Sequence, residues 1–142
     1  TMAAKYETGS FARDTSSDDP VNAGLNLANS ILYGCAASVC AALGINPALG
    51  IIHRGDARSL LFDLADLFKP SVTIPLVFAA AREEDPMTAV RKAVRRAIVD
   101  HRILPDMLAT IMDILQPFLP ARDDDRLISG NNVEVSGHIQ YG

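Results

Sequence analysis

The run bracketed by Asp19-Pro20 and Gly44 constrains this fold more than any other part of the chain. An aspartate before a proline pairs an N-cap with a residue whose fixed φ suits the first helical position, and glycine ends helices by entering the left-handed region without strain. One long helix over residues 20 to 43 follows, with Leu25, Ala28, Ile31, Leu32, Cys35, Val39 and Ala42 as its buried stripe. Asn26, Asn29, Ser30 and Gly34 interrupt the apolar stretch Ala23 to Ile45 at helical spacing, which argues for a core helix of a soluble protein rather than a membrane span.

The same signals recur downstream. A second helix is expected from about Ala57 to Lys69, ended by Pro70, with Leu60, Leu61, Leu64 and Leu67 on its apolar side. Thr73 is placed to cap a third near Pro75 to Ala81, and Asp85-Pro86 opens a fourth that runs to about His101. A fifth begins near Pro105, apolar at Met107, Leu108, Ile111, Met112, Leu115 and Phe118. Five helices with short connections make an all-α domain over residues 19–120. Residues 1–18 are polar without apolar period and read as a loop or linker, while residues 121–142 read as a flexible tail that docks on a partner, their alternating stretch Asn132 to Val135 being too short for a sheet of its own.

Composition is that of a globular protein, with 49% hydrophobic and 21% charged residues. No basic segment followed by an apolar one opens the chain, and Cys35 and Cys40 point to different sides of one helix, so reduced thiols in the cytoplasm are expected. The net charge of −4 speaks at first against a nucleic-acid partner. The acidic excess lies at the ends, however: residues 1–20 and 121–142 each carry two basic and four acidic side chains, leaving nine of each between them. Within that neutral stretch Arg82, Arg91, Lys92, Arg95, Arg96 and Arg102 form a local basic face, with Arg91 and Arg95 one helical turn apart. The chain has no P-loop, no paired-cysteine motif and no dinucleotide fingerprint.

The chemistry-bearing pattern is His53 after Ile51-Ile52, followed by Asp63 and Asp66 inside LLFDLADLFK. Residues three apart share a helix face, so two carboxylates can converge on one point that an imidazole reaches from the preceding turn, and oxygens with a nitrogen describe most of a divalent-metal site. The plainer alternative stands beside it: acids at this spacing often face solvent, and Lys69, Arg54 and Arg58 are at hand to neutralise them.

The runs DPVNAGLNLANSILYG, NPALGIIHRGD, LLFDLADLFKPSVTIPLVF and AVRKAVRRAIVD resemble, in order, the C-terminal helical domain of the CRISPR-associated integrase, the endonuclease of CRISPR adaptation, and its type I-E branch in particular. The resemblance covers roughly residues 5 to 120 and extends to the tail. It implies a metal-dependent DNA endonuclease and integrase that joins the 3′-hydroxyl ends of a captured protospacer to the CRISPR repeat by transesterification. By position, His53 and Asp66 match the family's metal ligands for Mg²⁺ or Mn²⁺, and Asp63 a supporting acid also needed for catalysis. Tyr33 and Lys69 match residues that approach DNA, although a tyrosine on a long helix also suits core packing and a terminal lysine suits the helix dipole. Arg54, Arg91 and Arg95 are further candidate phosphate partners, against the ordinary reading of charge runs as solvated faces. The implied partners are double-stranded DNA and the small dimeric adaptation protein, with no membrane.

One departure qualifies the match. The family's remaining ligand is a Glu on a preceding helix, which nothing before Asp19 supplies, Glu7 lying in the expected loop. The N-terminal β-sandwich through which the family dimerises is missing too, so the chain reads as a fragment, a split half or a truncated product. A catalytically silent helical module that holds DNA or the partner protein is the competing expectation.

Overall fold

The structure, a computed structural model, describes residues 11–118, 126–128 and 134–136. Helix α1 spans Pro20–Leu43, α2 Ser59–Asp66, α3 Ile74–Ala80, α4 Pro86–Asp100 and α5 Ile103–Leu115, with a π-helical turn over Lys69–Thr73 between α2 and α3. The all-α architecture and its five helices are those expected. The chain divides into two compact units, Thr1–Thr110 and Ile111–Gly142.

In the first unit α1 is the central element, packing against α2, α3 and α4. Its start is fixed as the sequence predicts: the Asp19 carboxylate accepts from Val21 N and Asn22 N at 3.1 Å each, a cap worth about 1 kcal/mol. At its end Gly44 takes φ 66°, and its N–H returns to Ala41 O. Val21, Leu25, Ala28, Val77, Ala80, Val90 and Val94 form a core cluster between α1, α3 and α4. Close approach needs a small residue at Gly24, where a Cβ would stand 2.8 Å from Val77 Cγ1. Helix α1 is long and apolar enough to cross a bilayer by length and composition, but Leu25, Ala28, Leu32, Cys35 and Val39 are spent on the protein interior. Two positions of the expected stripe differ: Ile31 is half-buried and Ala42, its last residue, exposed.

Residues 11–18 form no helix or strand and strap onto α1, a more definite arrangement than a free linker. Arg13 Nη1 and Nη2 donate to Asn22 Oδ1 (2.6 Å) and Asn26 Oδ1 (2.5 Å), and Phe11 stands edge-on to Phe78 at 5.1 Å. Residues 1–10, including Glu7, lie outside the described residues.

The middle of the unit departs further from expectation. Helix α2 begins at Ser59 and stops at Asp66, and Leu67 is 56% exposed rather than part of the apolar face. Pro70 does not end the helical path; it sits early in the π turn, where its missing N–H costs nothing, and Ile74 N–H closes the wider turn on Lys69 O. Thr73 is not a cap: it is fully buried with helical φ and ψ, and its hydroxyl lies 3.3 Å from Lys69 O and 3.4 Å from Asn29 Oδ1. Helix α4 starts as predicted, with the Asp85 carboxylate accepting from Thr88 N. Helix α5 begins two residues before Pro105, behind Arg102 at φ 50°, and buries Ile103 and Met107 while Leu108 stays exposed.

In the second unit Arg126–Ile128 (β1) pairs antiparallel with Glu134–Ser136 (β2), Leu127 opposite Val135. Of the alternating stretch Asn132 to Val135, Glu134 and Val135 fall in β2, while Asn132 and Val133 lie outside the described residues.

Candidate active site

The loop between α1 and α2 is folded back on itself by its own side chains and backbone. Asn46 Oδ1 accepts from Ala48 N at 3.0 Å, Leu49 N–H reaches Asn46 O, and Leu60 N–H at the start of α2 reaches Pro47 O at 2.9 Å. At Gly50 the return is so tight that a Cβ would lie 1.7 Å from His53 O, so no other residue fits. The consequence is that the amides of residues 51, 52 and 53 converge on one point.

That point is the Asp63 carboxylate. Oδ2 accepts from Ile51 N at 2.6 Å and Ile52 N at 3.1 Å, and Oδ1 from His53 N at 3.0 Å and from His53 Nδ1 at 2.6 Å. Burial, with the side chain only 6% exposed, pushes the Asp63 pKa up, but the His53 side chain and the three amides outweigh it and bring it down to about 2. An ionised carboxylate only accepts, so in the neutral imidazole the proton sits on Nδ1 and Nε2 carries the free lone pair.

Nε2 faces Asp66, with Oδ2 at 3.9 Å, beyond hydrogen-bonding distance. The other Asp66 oxygen holds Lys69 Nζ at 2.5 Å, and the same ammonium donates to the Tyr33 hydroxyl at 3.0 Å. Burial lowers the Lys69 pKa, yet its bonds to Asp66 and Tyr33 prevail and raise it. Nζ is also 5.1 Å from the Tyr33 ring centroid, so it sits at the hydroxyl rim and the hydrogen bond is the stronger interaction.

His53, Asp63, Asp66, Tyr33 and Lys69, spread over the chain from α1 to the π turn, are thus one connected group. Phe62 is the member that sequence reading passes over: its ring meets the edges of Tyr33 (5.1 Å) and His53 (5.7 Å) and lies 5.1 Å from the Arg58 guanidinium. Its position next to Asp63 on α2 was the available signal. Arg58 does not neutralise Asp63 or Asp66; it forks onto Asp56 at 3.1 and 3.2 Å. Arg54 is exposed in the loop, and Arg91 and Arg95 are exposed on α4, outside the bonded group. Among the described residues no three His, Cys, Asp or Glu side chains cluster as a complete metal cage. What the geometry offers is an oriented nitrogen lone pair beside an accessible carboxylate.

The family model for CRISPR associated protein Cas1 matches residues 6–92. CRISPR-associated endonuclease Cas1 of Clostridium sp. (strain SY8519) is 35% identical over 136 residues, 91% of this chain and 44% of that protein. CRISPR-associated endonuclease Cas1 2 of Thermus thermophilus is 35% identical over 131 residues, covering 87% of this chain and 40% of its own. The crystal structure of a TtCas1–DNA complex superposes with a TM-score of 0.66 at 37% identity, over 74% of this chain and 41% of that one. The chain therefore spans about four tenths of the length of the relatives it matches. It belongs to the CRISPR associated protein Cas1 family.

Proposed function

We propose that this chain is the helical catalytic part of a CRISPR-adaptation DNA endonuclease and integrase, of the type I-E branch, acting on double-stranded DNA at protospacer ends and the CRISPR repeat. The observation that carries the reading is the orientation of His53: Asp63 takes Nδ1–H at 2.6 Å and leaves Nε2 directed toward Asp66. A carboxylate behind the far nitrogen of an imidazole is how proteins fix a metal-binding histidine. The two donors stand 3.9 Å apart and one of them is on an accessible side chain, so a small rotation of Asp66 would let both reach a single Mg²⁺ or Mn²⁺. His53 and Asp66 would hold that ion, with remaining positions left to water, DNA phosphate and donors from elsewhere in a longer chain. Such an ion would supply neutralisation of the negative charge that gathers on the phosphoryl oxygens and the leaving oxygen.

The chain's own residues supply the rest. Asp63 keeps the imidazole in one tautomer and one orientation. Lys69 and Tyr33 present an ammonium and a hydroxyl beside the acid, both suited to phosphate oxygens. Arg54, Arg91 and Arg95 add exposed positive charge for the DNA backbone. Residues 121–142 would dock the small dimeric adaptation protein, dimerisation would need the family's N-terminal domain, and the two buried free thiols, Cys35 and Cys40, fit a cytoplasmic protein.

The test is DNA nicking and integration in Mn²⁺ by this chain, alone and mixed with a polypeptide carrying the N-terminal half of a relative, against His53→Ala. Activity in the mixture that disappears with His53→Ala supports the reading; none in either overturns it. A second reading, a silent helical module that binds DNA or the partner protein, draws on the 2.5 Å Lys69–Asp66 pair, which already neutralises the acid. Calorimetry separates the two, because the silent module takes up no Mn²⁺ and keeps its stability unchanged by metal.

A further inference from the structure

Lys69 lies three residues after Asp66, yet α2 ends between them and the π turn begins at Lys69 itself. The wider turn, closed by Ile74 N–H on Lys69 O, brings the side chain over the acid at 2.5 Å and under the Tyr33 hydroxyl at 3.0 Å, with only 24% of it exposed. Asp66 is 45% exposed and could be solvated by water alone, so a held ammonium is more than the acid needs. The ammonium occupies one carboxylate oxygen while the other faces the lone pair on His53 Nε2 at 3.9 Å.

We propose that Lys69 is a built-in counter-ion, holding the place on Asp66 that a divalent cation takes, and that arrival of the cation turns the ammonium away toward a phosphate oxygen of bound DNA. The inference rests on the cation site proposed above. Two positive charges on one carboxylate repel, so metal and ammonium compete for Asp66. Tyr33 gives the displaced side chain a second anchor, since its hydroxyl holds Nζ independently of the acid. Lys69 thereby couples the two ligands: DNA drawing the ammonium off Asp66 tightens the metal, and the metal pushing it off tightens DNA, by the same factor.

Mn²⁺ affinity of the full chain, read by calorimetry and by paramagnetic broadening of the His53 ring signals, tests this without any turnover. Lys69→Met keeps the stem and removes the charge, and Lys69→Gln serves as a second variant should the first lose fold. Both should bind Mn²⁺ about threefold more tightly than wild type, the equivalent of releasing one partly exposed ion pair. Added duplex DNA should raise Mn²⁺ affinity by a larger factor in wild type than in the variants, where only direct phosphate–metal contact remains; an equal factor in all forms overturns the counter-ion role. If the variants bind Mn²⁺ as wild type does while His53→Ala binds less, the counter-ion role is wrong and the cation site stands. Absence of Mn²⁺ binding in every form removes the cation site and the inference together.

Discussion

Asp63 accepts the Nδ1–H of His53 at 2.6 Å and the His53 amide at 3.0 Å, so one carboxylate fixes both the ring and the backbone of the same residue. Position and tautomer of the imidazole therefore depend on a single side chain, which the fold holds buried on α2. Asp63→Asn should expose that dependence. The amide NH₂ would face donors in place of one acceptor oxygen, and we expect the fold to lose roughly 3 kcal/mol in urea unfolding. The His53 ring signals should show mixed tautomers, and any DNA cleavage should fall with them even at saturating metal.

The depressed acidity of Asp63 has a definite signature against pH. Its folded pKa of about 2 lies below the usual 3.8, so the ionised form is stabilised by folding, and that stability is complete at neutral pH. It drains as pH falls through the unfolded value toward the folded one, a loss of about 2 kcal/mol between roughly pH 5 and pH 2. Urea midpoints across that range, compared with Asp63→Asn, measure it; equal slopes for the two proteins would assign the acid sensitivity to other carboxylates.

Gly50 tests whether the loop is as tightly specified as the amide cluster implies. A methyl at this position would lie 1.7 Å from His53 O and 2.5 Å from Ser59 Cβ, and neither backbone nor helix start can give way cheaply. Gly50→Ala should cost about 2 kcal/mol or more and speed hydrogen exchange at the amides of residues 51 to 53. Protection unchanged at those amides would mean that the loop has another way to close.

What the sequence disclosed and what it withheld divide along physical lines. Asp19, Gly44 and Asp85 were legible because a cap is decided by residues within one turn of it. The association of His53, Asp63 and Asp66 was legible as spacing and the resemblance set Asp63 apart as a supporting acid, but which imidazole nitrogen each acid faces shows only in the folded loop, Asp63 at Nδ1 and Asp66 on the side of Nε2. Pro70 and Thr73 misled because tertiary packing overrode local rules: a proline that breaks an α-helix is harmless early in a π turn, and a threonine suited to capping was drawn into the core beside Asn29. Arg58 misled by proximity in sequence, its guanidinium finding Asp56 before either acid on α2.

Arg91 and Arg95 offer the cleanest test of the proposed DNA contact. Both lie on α4 one turn apart, both are exposed, and the residues that α4 buries are their neighbours Val90, Val94 and Ala97. Reversing them leaves the core untouched, so the fold should survive Arg91→Glu with Arg95→Glu, as checked by thermal unfolding. Each phosphate deprived of its cationic partner lowers the slope of log affinity against log salt by about 0.9 on duplex DNA, and the double variant should therefore flatten it by about 2. The weakening should be the same for unrelated duplex sequences, because phosphates carry no base information. A slope equal to that of wild type would take this face of α4 out of the DNA interface and leave backbone binding to Lys69, Arg54 and residues nearer His53.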